Sequence, residues 1–555
     1  MSVEYTKQAF VQIHPQDNVL VALRNLAAGE QIQWKGKEIT LPEAVAAKHK
    51  FAVESLEVGD KVFMYGVLVG KTTQAIPLGG LLSTANLVHA TDSQANGSRK
   101  TDWDAPNVSR WQNRTFMGYH RADGQVGTAN YWVVIPLVFC ENRNVQTMRQ
   151  AFLKELGYSR PQPYRKQVRR LVELYEDGHP AEALLGTDLE TLVENTDDER
   201  VFPNVDGIKF LTHQMGCGGT RDDARTLCGL LAGYITHPNV AGATVLSLGC
   251  QNAQISILQE EIQLRAPNFD KPLVVLEQQQ EGTEQQLLSK AIRETFVGLI
   301  KANQVYRRPA PLSKLTLGLE CGGSDGFSGI SANPAVGHVS DMLVALGGTT
   351  ILSEFPELCG VEDELSSRCI TDAVSNRFLH LMESYQNRAE AVGSGFDANP
   401  SPGNIKDGLI TDAIKSAGAA KKGGTSPIQD VLDYPEKVNK PGLNLLCTPG
   451  GDVESVTAMI GSGANIAVFT TGLGTPTGNP IAPVLKISTN TPLAVRMPDI
   501  IDLDAGPIIS GEATIEEIGE QLLDLIVSVA SGETTAKAVG LGQDDFIPWK
   551  RGVSL

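Results

Sequence analysis

Residues 315–326 read Leu-Thr-Leu-Gly-Leu-Glu-Cys-Gly-Gly-Ser-Asp-Gly, an apolar run that breaks directly into a glycine-rich turn. A short continuous apolar run bounded by turn residues marks a strand buried on both faces. The pattern recurs outward along the chain. Residues 208–212 run into His213-Gln-Met-Gly216-Cys217-Gly218-Gly219-Thr220, and 243–248 run into Gly249-Cys250-Gln251-Asn252. Further buried-strand candidates are 273–276, 349–352, 443–446, 466–470 and 484–487. Helical stretches such as 221–234 and 284–301 separate several of them. Strands alternating with helices predict an α/β fold with largely parallel sheets. Near the C-terminus, Thr514 and Glu517 make a capping box ahead of Ile515, Ile518, Leu522, Leu525, Ile526 and Val529, spaced to bury one helix face.

The first ninety residues differ. They carry a loose repeat: Leu26-Ala-Ala-Gly29-Glu30-Gln-Ile32, Leu56-Glu-Val-Gly59-Asp60-Lys-Val62 and Ile76-Pro-Leu-Gly79-Gly80-Leu-Leu82. Each copy returns to apolar residues across a turn glycine, so short strands and tight turns are expected in a small, mostly β unit over 1–92. Polar residues 93–114, around Trp103 and Trp111, read as a linker. One α/β portion is expected over 115–305, with a charged, helix-prone insertion at 159–203 on its surface. A break at Arg307-Arg308-Pro309-Ala310-Pro311 separates it from a second α/β portion over 310–555.

Composition excludes several functions. The 555 residues hold 47 Lys and Arg against 64 Asp and Glu, a net charge of −17. Binding nucleic acid needs clustered Lys and Arg, and none stand out. Hydrophobic residues are 41% and charged ones 20%, the mix of a globular chain with ample core. Eight cysteines with no C-x-x-C pair point to a reducing compartment, the cytoplasm. The longest apolar run, 131–140, is about half the ~20 residues that cross a bilayer, so no membrane partner is expected. Gly66-Val-Leu-Val-Gly70-Lys71-Thr72 spaces its glycines one residue too closely for a phosphate loop, and no G-x-G-x-x-G follows a strand. No nucleotide cofactor is expected.

Glycine-rich loops after parallel strands are where ligands bind in such folds. Three of these loops carry Cys217, Cys250 and Cys321. Thiolates converging from separate loops suit a metal ion or iron–sulfur cluster, while small cysteines also simply fill tight turns. The loops Asn399-Pro-Ser-Pro-Gly403-Asn404 and 470–479 offer amides, hydroxyls and backbone N–H groups suited to a polyhydroxylated anion, or are ordinary turns. Of nine histidines, His14, His49 and His89 lie in the small β unit. Together they are candidates for a divalent-metal or acid–base cluster; singly, each suits a surface position. Arg121, Asp123 and Asn130 flank glycines, as a carboxylate clamp or a salt-bridged turn.

Long motifs occur in order along the chain: His14-x-x-Asp17-Asn18-Val19, His49-Lys50-Phe51, Tyr65-Gly66, Arg121-x-Asp123-Gly124-x-x-Gly127, Gly249-Cys250, Cys321-Gly-Gly-Ser-Asp-Gly-x-Ser-Gly-Ile330-x-Ala-Asn333-Pro334, Asn399-Pro-Ser-Pro-Gly-Asn404, Pro441-Gly-Leu-Asn444 and Gly472-x-Gly-Thr-Pro476. With these motifs the chain resembles the altronate/galactarate dehydratase family over nearly its whole length. The resemblance implies an N-terminal β-clip domain of the SAF type, followed by two α/β portions. It implies a homo-oligomeric hydro-lyase of hexuronate breakdown that converts D-altronate to 2-dehydro-3-deoxy-D-gluconate. It also implies a divalent metal, iron(II) or manganese(II).

The chemistry sets out the roles to be filled. A weakly acidic proton beside a carboxylate must be removed, and a hydroxide must leave. A metal on the carboxylate and 2-hydroxyl stabilises the charge that develops. His49 or Lys50 is expected as the acid–base group, with His14, His49 and His89 as metal ligands. Arg121, Asp123, Ser324, Asp325, Asn333 and Asn404 are expected to bind substrate. Galactarate dehydration, a sulfolactate lyase activity and a non-catalytic sugar-acid sensor are the alternatives.

Overall fold

The computed structural model describes residues 8–91, 99–189 and 199–554. Residues 1–7 and 92 of the expected β unit, 93–98 of the linker, 190–198 of the insertion, and 555 lie outside the described residues.

The N-terminal unit is built of short antiparallel strands. Phe10–Val11, Val19–Ala22 and Lys50–Ala52 form one sheet, and Lys61–Met64, Val67–Thr72 and Leu87–Val88 form another. Gln31–Trp34 and Lys37–Thr40 pair as a hairpin. The sequence repeat is a repeated turn. Gly29, Gly59 and Gly79 all have left-handed backbones (φ 78°, 91° and 77°), a conformation glycine adopts without steric cost. Each donates its N–H to a neighbouring segment, at the carbonyls of Leu41, Thr72 and Ala52.

The expected break at 307–311 is itself a strand. Arg307–Pro311 pairs antiparallel with Thr115–His120. It lies at the edge of its small sheet, where prolines, which cannot donate to a ladder, are tolerated.

The next sheet is parallel and four-stranded, from β1 (Tyr131–Pro136), β2 (Gly207–Phe210), β3 (Val240–Ser247) and β4 (Leu273–Glu277), in the order β2-β1-β3-β4. All six residues of β1 are buried, so the longest apolar run in the chain is an inner strand. Helices α1 (Asn142–Glu155), α2 (Arg221–Thr236), α3 (Ile255–Arg265) and α4 (Glu284–Ala302) cover it, and capping boxes start α2 and α4. The described part of the insertion forms helices Pro163–Glu176 and Ala181–Leu185, which bury only Leu174.

The largest sheet has seven parallel strands: β5 (Thr316–Cys321), β6 (Thr349–Leu352), β7 (Ile428–Leu432), β8 (Gly442–Leu446), β9 (Ile466–Thr471), β10 (Val484–Ser488) and β11 (Leu503–Asp504). Their order is β7-β8-β6-β5-β9-β10-β11. Around it lie α5 (Ala332–Ala345), α6 (Asp372–Ala391), α7 (Asp412–Ala420), α8 (Asp452–Gly461) and α9 (Ile515–Ala530). The capping box of α9 forms as read, and Ile518, Leu522, Ile526 and Val529 are buried, with Ile515 and Leu525 half-buried. All eight expected strands are present. One apolar core joins the N-terminal unit to the large sheet, and a second packs α2 against α8 between the two parallel sheets. Among the described residues, no helix is long and apolar enough to cross a membrane.

Candidate active site

From β5 the chain builds β6, β7 and β8 on one side of the sheet, then β9, β10 and β11 on the other. The order reverses between β5 and β9, and loops leaving the carboxyl ends of strands at such a point open a ligand crevice. The loops are stitched together there. Gly322 N donates to Thr470 O (3.0 Å), Gly472 N to Gly323 O (3.0 Å) and Glu354 N to Thr448 Oγ1 (2.8 Å).

A buried charged cluster fills this end of the sheet. Glu354, directly after β6, takes a left-handed backbone (φ 64°), a strained state of the kind that gathers at functional sites. Its Oε2 accepts from Cys321 N (3.3 Å) and from Lys422 Nζ (2.5 Å). Lys422 Nζ also lies 2.7 Å from Cys321 Sγ. Beside them, Lys415 Nζ donates to Glu357 Oε1 (2.5 Å) and to Asn399 Oδ1 (2.8 Å). Burial raises the pKa of Glu320 and Glu354, and for Glu320 the charge of Glu354 adds to it. Burial also acts on Glu357, but the ammonium groups of Lys415 and Lys422 overcome it and bring the pKa down. Asp452, at the start of α8, is pushed up to about 7 by burial and by the charges of Glu354 and Glu357. Its carboxylate occupies the space above Gly322, where a Cβ would lie 2.1 Å from Oδ2.

The N-terminal unit closes the crevice from outside. Lys48, also left-handed (φ 77°), places Nζ 2.9 Å from Asp325 Oδ2 and 3.0 Å from Asp407 Oδ1. Fully buried Asp325 accepts further bonds from Thr489 Oγ1 (3.0 Å) and Asn490 Nδ2 (3.3 Å). Lys50 is 1% exposed and donates to the carbonyls of Lys48 (3.0 Å) and Gly408 (2.6 Å). Burial lowers its pKa to about 7, with Asp325 opposing.

Two sets of donor atoms, each mutually within 4.8 Å, are spaced to hold a metal ion: His89 with Cys359 and Asp412, and Cys321 with Glu354 and Glu357. The first bridges the last strand of the N-terminal unit to the loop after β6 and to α7. The two sets are neighbours, since the charge of Glu357 is felt at Asp412.

Three family models match the chain in succession. The altronate/galactarate dehydratase SAF domain covers residues 8–90, the D-galactarate dehydratase/altronate hydrolase second domain 118–303, and the D-galactarate/altronate dehydratase C-terminal domain 312–554. Altronate dehydratase of Bacillus subtilis (strain 168) is 33% identical over 95% of this chain and 96% of its own length. Altronate dehydratase of Escherichia coli (strain K12) is 32% identical over 98% and 100%. The L-threo-forming galactarate dehydratase of Escherichia coli (strain K12) is 31% identical over 94% and 93%. The chain belongs to the altronate/galactarate dehydratase family. It is therefore an enzyme of the dehydratase class.

The donor sets differ in how well they suit the divalent cation expected of this family. Imidazole, thiol and carboxylate at His89, Cys359 and Asp412 fit a borderline ion such as iron(II). At Cys321 and Glu354 the Lys422 ammonium already lies against both donors, so that cation is supplied by the chain itself. Glu354 Oε1 and Glu320 Oε1 are buried without a hydrogen-bond partner, which leaves acceptors open in the crevice.

Other expected residues are scattered around this candidate site. Asn404 Nδ2 donates to Ser324 O (2.7 Å), tying the 399–404 loop to the 321–326 loop. Asn333 is held by Thr470 Oγ1 (2.6 Å) and Gly418 O (3.0 Å). His14 rests on Gly66, and His49 Nδ1 faces Ala47 O (3.2 Å); neither joins a metal-holding set among the described residues. Arg121 lies instead at the start of β3. There it donates to the carbonyl of Pro238 (2.7 Å) and to Asn130 Oδ1 (2.9 Å), and burial lowers its pKa to about 10. Asp123 accepts from Gln125 N in the adjoining turn (3.1 Å). The three cysteines read as post-strand turns divide between the sheets: Cys321 ends β5, while Cys217 and Cys250 follow β2 and β3.

Sequence reasoning missed Glu354, Glu357, Lys415, Lys422 and Asp452. One signal was present: Ser353-Glu354 follows a predicted strand directly, the position where ligand-binding groups gather.

Proposed function

We propose that the protein removes water from D-altronate to give 2-dehydro-3-deoxy-D-gluconate, in the cytoplasm, with iron(II) or manganese(II) at His89, Cys359 and Asp412. One observation carries this reading. Carboxylates and lysine ammonium groups crowd the reversal point of the large sheet in a chain matched end to end by altronate dehydratases. All eight cysteines are free, which supports a reducing compartment.

His89, Cys359 and Asp412 would hold the cation, which would supply Lewis acidity for the charge that develops on the substrate. The chain supplies the proton transfers. Of His49 and Lys50, Lys50 suits the base. With its pKa near 7 it is substantially neutral at physiological pH, and donating both amine hydrogens to the Lys48 and Gly408 carbonyls leaves a lone pair to take the C2 proton. Asp452, with a pKa near 7, keeps a proton for the departing 3-hydroxyl. Lys415 and Lys422, paired with Glu357 and Glu354, hold those carboxylates at the crevice, and Asn333, Asn404, Ser324 and Asp325 shape the loops around the substrate's hydroxyls.

The test is anaerobic incubation of purified protein with altronate and, separately, galactarate, with added iron(II) or manganese(II) and with chelator. Metal-dependent 2-keto-3-deoxy acid from altronate supports the proposal. Turnover of galactarate alone would replace the substrate, and binding without turnover would favour the sensor.

A further inference from the structure

The four-stranded sheet ends in a feature the dehydratase site does not use. Three adjacent parallel strands, β2, β1 and β3, each run at their carboxyl ends into a loop bearing a cysteine: Cys217, Cys140 and Cys250. The loops are fastened to one another. Phe139 N donates to Met215 O (3.0 Å), Ala253 N to Gly216 O (3.0 Å) and Asn252 Nδ2 to Cys217 O (2.7 Å). Gly216 is left-handed (φ 100°) and pressed on the end of β1, where a Cβ would lie 2.4 Å from Leu137 O. That contact draws the Cys217 loop onto the segment leading to Cys140.

Each cysteine also precedes the N-terminus of a long helix. Cys140 lies before α1 (14 residues), Cys217 before α2 (16 residues) and Cys250 before α3 (11 residues). All three cysteines therefore lie on the amino-terminal side of a helix at the same end of the sheet, the positive end of each helix dipole. The thiols sense one another: the pKa of Cys140 is raised by burial and then by the charges of Cys217 and Cys250. Cys140 and Cys250 are exposed and Cys217 half-buried, so none is a core filler, unlike Cys228, Cys369 and Cys447. A small cavity lies against Cys217, lined by Gly216, Gly218, Gly219, Thr220 and Lys550.

We propose that Cys140, Cys217 and Cys250 ligate an iron–sulfur cluster of the four-iron type, leaving one iron without a protein thiolate. Soft thiolates from separate loops, at strand ends beneath helix N-termini, match what such a cluster requires. The site is distinct from the cation set at His89, Cys359 and Asp412.

Anaerobic reconstitution of the full chain with equal iron(II) and iron(III) and with sulfide tests this, followed by desalting and assay of iron, acid-labile sulfide and visible charge-transfer absorption. About four iron and four sulfide per chain are expected, with a paramagnetic signal after reduction. Cys140→Ser, Cys217→Ser and Cys250→Ser should each lower the bound sulfide severalfold and remove the absorption. Cys321→Ser and Cys359→Ser should leave both intact, so loss of the cation site and loss of the cluster are separable. Native far-ultraviolet circular dichroism for each variant shows that folding is not the cause. Reconstituted wild type without labile sulfide, zinc bound in its place, or a cluster that survives the triple serine variant would overturn the proposal.

Discussion

Lys48 reaches Asp325 across the join between the N-terminal β unit and the seven-stranded sheet, with Nζ 2.9 Å from Oδ2. The Asp325 side chain is fully buried and that of Lys48 is half-buried. The small β unit therefore contributes charge to the reversal point of the large sheet rather than acting as a detached module. Breaking a buried pair by removing one partner strands the other charge. Lys48→Met is expected to cost about 3 kcal/mol in a denaturant titration of the whole chain, and Asp325→Asn should cost less, because Asp407 still pairs with the Lys48 ammonium.

Lys50 and Asp452, each with a pKa near 7, make the pH profile diagnostic. Lys50 acts as base only when neutral, so kcat falls below about pH 7; Asp452 acts as acid only when protonated, so kcat falls above it. A bell centred near neutrality is expected from kcat measured across pH. Asp452→Asn should lower kcat about 100-fold and remove the alkaline limb. Lys50→Arg, which keeps the charge but cannot give up its proton, should lower kcat by at least that factor.

The cation set makes a separate prediction. His89→Ala, Cys359→Ser and Asp412→Asn each remove one donor from a group of three. Each should weaken iron(II) or manganese(II) binding about 100-fold by equilibrium dialysis. His14→Ala, whose ring lies over Gly66 outside the set, should leave that affinity unchanged.

Gly322 tests the packing of the acid. A methyl group there meets Asp452 Oδ2 at 2.1 Å. Gly322→Ala should cost about 1–3 kcal/mol through overpacking and lower kcat by displacing the carboxylate, with KM little changed.

Much of the fold was legible because parallel strands are buried on both faces and so read as apolar runs punctuated by glycine. The run at 131–140 was the exception. Measured against a bilayer, it showed only that it was too short, and its role as β1 depends on neighbours 76 or more residues away in sequence. The same gap hid Cys140, which belongs with Cys217 and Cys250, while Cys321, alike in local sequence, belongs to another sheet. The loops at 321–326 and 399–404 announced themselves through glycine and asparagine. Lys415 and Lys422 did not, because single lysines in a helix and the turn after it look like solvated surface until tertiary contacts bury them. Arg121 shows the converse: a motif residue whose donors are spent on the Pro238 carbonyl and Asn130 Oδ1 at the far end of a sheet.

The most direct test of the account is proton NMR of D-altronate incubated anaerobically in deuterated water with the iron(II)-loaded protein. The account predicts loss of the altronate C2 proton signal together with growth of 2-dehydro-3-deoxy-D-gluconate carrying deuterium at C3, abolished by chelator and by Lys50→Arg. Unchanged altronate in the presence of correctly folded, metal-loaded protein would contradict it.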